Sequence, residues 1–105
     1  MVGVALWAAI SITGAQAGTV IGNGTGSCGQ WTKDQQDDFF ALIDEAWLAG
    51  FLSSYSVYNN DKIDLPDAGA KKAWVSNYCL SHPLDPIYTA SDQLIIELQR
   101  RASQR

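Results

Sequence analysis

The sequence predicts an all-α fold, a small orthogonal helical bundle of three to four helices with one disulfide. Three observations carry this reading. Apolar residues recur at helical spacing in three separate stretches, each stretch is punctuated by cap residues and prolines, and no segment alternates apolar with polar residues over a useful length. The chain has 105 residues, room for one domain. At 47% hydrophobic and 17% charged residues it is too apolar to stay disordered.

The first helix is expected to start at Thr32, where Thr32-Lys33-Asp34-Gln35 has the form of a capping box with Trp31 at N′. Phe39, Ile43, Trp47, Phe51 and Tyr55 recur every four residues and predict its buried stripe, with Asp44 and Glu45 on the opposite, solvated side. Gly50 within this pattern predicts a kink or the close approach of another backbone. A polar connection, Tyr58 to Leu65, follows, with room for a short helix near Asp61. Asp64 is the expected cap of the second helix, which places Ala70, Trp74, Val75, Tyr78 and Cys79 on one face. Pro83 ends it, because the residue before a proline is pushed out of the α region. Asp85-Pro86 then opens the third helix, with Ile87, Ala90, Leu94, Ile95 and Leu98 inward and Arg100 and Arg101 at the negative end of its dipole.

Residues ahead of these helices have a different character. Nothing before Lys33 carries a side-chain charge, Val2 to Ile12 is almost wholly apolar, and Ala15-Gln16-Ala17 places small residues at −3 and −1. That is the pattern of a secretory signal peptide over residues 1–17, although its n-region has no Lys or Arg. Residues 18–29 read as a flexible Gly-rich linker and 30–105 as a single helical domain. In an oxidising compartment the two cysteines, Cys28 and Cys79, are expected to form one disulfide. Localisation is therefore expected to be periplasmic or secreted, with no stable membrane association once the signal is removed.

Seven Lys and Arg against eleven Asp and Glu give a net charge of −4, which argues against nucleic acid and against an anionic membrane surface. His82 is the one histidine, and Ser81 beside it projects in another direction, so the two do not form a nucleophile and base. His82 is expected to interact with the end of its helix instead. The neighbouring acids Asp37/Asp38 and Asp44/Glu45 point to different sides of a helix, too divergent for paired acid–base work. Asn59, Asn60, Asp61 and Asp64 lack the spacing, the glycine and the bidentate Glu of an EF-hand. Neither catalysis nor a cofactor nor a metal is expected.

Cys28-Gly29-Gln30-Trp31, Trp47-Leu48-Ala49-Gly50-Phe51-Leu52-Ser53, Ala73-Trp74-Val75-Ser76-Asn77-Tyr78-Cys79 and His82-Pro83-Leu84-Asp85 together resemble small exported bacterial helical proteins. The arrangement is similar to the HdeA-type acid-stress chaperones and to the Rap1a/Tai immunity proteins. It implies a small, helical, disulfide-bonded periplasmic protein whose partner is another protein. No family site residue transfers to a position of this chain. Two functions follow as expectations. One is a chaperone that exposes apolar surface in acid, where full protonation would take the charge to about +8 (7 Lys and Arg plus 1 His). The other is an immunity or inhibitor protein that presents an acidic loop, Asn59, Asn60, Asp61, Asp64 and Asp67, to an exported enzyme. A homodimer is compatible with both.

Overall fold

Helix formation begins at Cys28, four residues ahead of the expected capping box. The computed structural model describes residues 18–59 and 63–104. Among them lie four α-helices and no strand: α1, Cys28–Asp34; α2, Asp38–Tyr58; α3, Ala68–Ser81; and α4, Ile87–Ala102. A 3-10 turn, Asn23–Thr25, precedes them. The expected all-α class and the Cys28–Cys79 disulfide are both present. Residues 1–17, where the signal peptide is expected, lie outside the described residues.

The single helix expected from Thr32 onward is two helices. Ser27 caps α1, its hydroxyl accepting from the Gln30 N–H at 3.0 Å. The N–H groups of Cys28 and Gly29 go to the carbonyls of Asp85 and Pro83, so the α3–α4 connection satisfies part of the α1 first turn. Gln35, Gln36 and Asp37 then form a tight joint, and Asp37 caps α2 by accepting from Phe39 and Phe40 N–H. The break has a geometric cause. At about 100° per residue one unbroken helix would point buried Trp31 and the buried line of α2 about 95° apart. The joint turns both faces toward one core.

That buried line is Ala41, Asp44, Leu48 and Leu52, not the expected stripe. Phe39 is exposed, and Ile43, Trp47, Phe51 and Tyr55 are half-buried. An uninterrupted i+4 series rotates by about 40° per step, so five such residues wrap around a helix instead of lining one face. Asp44, expected in solvent, is only 1% exposed.

Asp67 replaces Asp64 as the cap of α3, accepting from the Ala70 N–H at 2.8 Å. Pro66 keeps Leu65 out of the helical region, which moves the start downstream. The expected short helix near Asp61 is absent from the described part of that loop, residues 63–67. For α4 the cap is Pro86 itself, with no side-chain bond. The Ile87 N–H donates to the Gly26 carbonyl at 2.8 Å, and Asp85 accepts from the Tyr78 hydroxyl at 2.6 Å instead of capping. Ile87, Ala90, Leu94, Ile95 and Leu98 are all buried, as their spacing predicts. Burying four such aliphatic side chains contributes about 1.5–3 kcal/mol each.

The Gly-rich segment is more than a spacer. The expected boundary at Gly29 falls inside α1, and the 3-10 turn packs on α2 and α4. Trp47 Nε1 donates to the Ile21 carbonyl at 2.9 Å, and Asn23 Nδ2 donates to Asp44. Close backbone approach occurs here and not at Gly50, around which an added Cβ meets nothing within 4 Å. A Cβ on Gly24 would fall within the Trp47 ring. Gly24→Ala is thus expected to cost about 1–3 kcal/mol by overpacking. Gly50→Ala, in open helical space, is expected to stabilise by about 0.5–1 kcal/mol. Urea denaturation of the two variants checks this; equal effects would show that the turn does not rest on Trp47.

Candidate functional site

Two members of the acidic loop expected to bind a partner, Asn59 and Asp67, spend their polar groups locally. Asn59 is the C-cap of α2, and its Nδ2 donates to the Tyr55 carbonyl at 3.0 Å. Asp67 is committed to capping α3. Asp64 lines a small cleft with Leu65, Pro66, Leu98 and Arg101. Asn60 and Asp61 lie outside the described residues. The structure thus draws Asp64 toward the end of α4, and gives Asn59 and Asp67 to the ends of α2 and α3.

His82 is the C-cap of α3, its Nδ1 donating to the Tyr78 carbonyl at 2.9 Å. Its ring stacks on Tyr78 at 4.0 Å between centroids, and Tyr78 in turn stacks on Trp74 at 5.9 Å. The hydrogen bond to Asp85 pushes the Tyr78 hydroxyl pKa up. Trp74, expected to face the core, is half-buried in this surface column. Three successive rings at i, i+4 and i+8 stiffen the last turns of α3 next to the disulfide. Among the described residues no three His, Cys, Asp or Glu side chains come together as a metal site.

Two features stand apart. The first is the outer ridge of α2: Phe39, Leu42, Ala46, Gly50, Ser53 and Val57, all exposed. Phe39, Leu42 and Val57 are 66%, 65% and 73% exposed, and Phe39 packs edge-on against Phe40. No residue from Ala46 to Asn59 is charged. The large exposed apolar side chains fall at the two ends of α2, Phe39, Phe40 and Leu42 at one and Val57 and Tyr58 at the other, and exposed apolar surface of this kind marks an interaction surface. Sequence spacing missed this ridge because the i+4 stripe assigned Phe39 to the core. The signal was available, since six uncharged residues at i+3 and i+4 steps continue past the stripe.

The second feature is a pair of carboxyls. Asp44 Oδ1 accepts from Asn23 Nδ2 at 3.0 Å, while its other oxygen is buried and meets no donor. The group facing Asp44 from α1 is Asp34, whose Oδ1 accepts from Gln30 Nε2 at 2.7 Å. Two carboxylates cannot hydrogen-bond each other unless one carries a proton. Burial, with the contact to Asp34 next in weight, raises the Asp44 pKa to about 7. Glu45 adds a smaller repulsion, and is itself paired with Lys72 of α3 at 3.4 Å. Asn23 and Asp34 also line an open groove with Gln30, Lys33, Asp37 and Phe40, but Asp44 lies beneath it and out of reach of a ligand.

By contrast, half-buried Glu97 receives Arg100 and Arg101, which hold its pKa down at about 2. The two groups act oppositely in acid. The contribution of Glu97, present above the ordinary value of 4.5, is lost as pH falls through about 2. That of Asp44 is fully present below 3.8 and is lost as pH rises through about 7. Mild acid therefore favours the folded state through Asp44.

Among the described residues no helix is long and apolar enough to cross a membrane. The disulfide fits an oxidising compartment. No family model, curated protein or solved structure matches this chain.

Proposed function

We propose that this is an exported, periplasmic protein-binding protein of chaperone type, which holds apolar segments of other exported proteins on the outer ridge of α2. The observation that carries the reading is the lack of any charge on that exposed helix between Ala46 and Asn59. Discrimination of one cognate enzyme needs charged or hydrogen-bonding groups that penalise the wrong partner. A long uncharged ridge with aromatic residues at one end suits unselective capture. The immunity reading is less well supported, because Asn59 and Asp67 of its acidic loop serve as helix caps. The sign of the Asp44 linkage also favours capture by the folded protein over capture by an acid-unfolded one. The proposal includes no catalytic step and no cofactor.

Aggregation of a reduced, unfolding model client, followed by light scattering, tests it. The mature protein is expected to suppress aggregation, and Leu42→Glu/Val57→Glu to lose that ability. Exposed substitutions of this kind shift stability by only about 0.5 kcal/mol. Failure of the wild type to suppress, or full retention by the double variant at unchanged stability, would remove the ridge from function.

A further inference from the structure

We propose that the groove between α1, the 3-10 turn and the start of α2 binds a neutral oligosaccharide. The proposal does not depend on what the outer ridge of α2 holds. The groove has a volume of about 580 Å³, within the range of small-molecule sites, about 300–1,000 Å³. Gln30 and Lys33 reach it from α1, Gln36 and Asp37 from the joint, Phe40 from α2 and Asn23 from the 3-10 turn.

Three of these side chains are each held at one atom and free at another. Asn23 Nδ2 donates to Asp44 and leaves Oδ1 without a donor. Gln30 Nε2 donates to Asp34 at 2.7 Å and leaves Oε1. Asp37 Oδ1 takes both cap N–H groups of α2 and leaves Oδ2. The Lys33 ammonium and the Gln36 amide make no hydrogen bond or ion pair among the described residues. Oriented acceptors and unspent donors therefore line one groove, and the acceptors are held in place before a ligand arrives.

That mixture selects among ligand chemistries. An ammonium or guanidinium only donates. It would leave the Gln36 N–H groups unmet and would face the like charge of Lys33. A carboxylate only accepts, and would face the carboxylates of Asp34 and Asp37. A hydroxyl both donates and accepts, so a run of hydroxyls matches both sets. Phe40 supplies the apolar part. It is 49% exposed, in edge-on contact with Phe39. The negative face of an aromatic ring attracts the C–H face of a sugar ring. An uncharged sugar chain offers hydroxyl edges and C–H faces together in every unit.

NMR of the side-chain amides in the isotope-labelled protein tests this. The titrants are chito- and cello-oligosaccharides, both neutral, an anionic oligogalacturonate and a cationic oligolysine peptide. The Gln30 and Gln36 amide signals are expected to move with a neutral sugar and not with oligogalacturonate. Tighter binding of one neutral sugar identifies the ring substituent, N-acetyl or hydroxyl, that the groove accepts. Phe40→Ala is expected to weaken binding about tenfold, and Gln36→Ala about two- to tenfold. Leu42→Glu/Val57→Glu, on the ridge outside the groove, is expected to bind as the wild type does. Amide signals that neither neutral sugar moves would overturn the proposal. So would a response to oligolysine or oligogalacturonate as large as that to the sugars, or unchanged affinity in either variant that remains folded.

Discussion

Trp31→Ala is expected to lower stability by about 3–5 kcal/mol, the usual cost of emptying a fully buried aromatic site. Trp31 has no exposed surface, and its Nε1 donates to Ser76 Oγ at 2.9 Å, which ties α1 to α3. Truncation leaves a cavity between the disulfide and the α4 face, and strands the Ser76 hydroxyl. Trp74 offers the comparison. It is half-buried and stacked on Tyr78 at the surface, so Trp74→Ala is expected to cost clearly less. Urea denaturation of both variants decides between them. A larger loss for Trp74→Ala would mean that the core is centred on α3, and that α1 is peripheral to it.

Cys79→Ala is expected to cost roughly 2–5 kcal/mol, as loss of a native disulfide does in small secreted domains. The bridge joins residues 51 apart in sequence, and a loop of that length corresponds to roughly 4 kcal/mol in the chain-entropy treatment. Structure adds a second reason. α1 is a seven-residue helix, too short to be stable alone, and the bond holds it against α3. The effects of Trp31→Ala and Cys79→Ala should not add, because Cys28 and Trp31 belong to the same core cluster and depend on the same docking of α1. Thiol titration of the native, non-reduced protein provides the control: two reactive thiols would show that the bond is not formed.

What the sequence determined by itself follows from local rules. The all-α class, the cysteine pairing and the inward face of α4 were legible because each depends on a pattern within one segment, or on there being only two cysteines. α4 is the clearest case, with Ile87, Ala90, Leu94 and Leu98 joined by i+3 and i+4 steps that stay on one side of a helix, and Ile95 beside them. Tertiary structure decided the rest. The sequence marked only Thr32 as the start of the first helix; the Ser27 cap and the contacts of Cys28 and Gly29 with the α3–α4 connection start it earlier. In α2 the i+4 series pointed to a different face, and docking of α1 and the 3-10 turn chose the line that includes Asp44. The acid pair was invisible for the same reason. Asp34 and Asp44 stand ten residues apart on different helices, and only the turn at Gln35 to Asp37 brings their carboxyls together. A burial pattern within one helix is a property of its sequence; a meeting between helices belongs to the angle at which they pack.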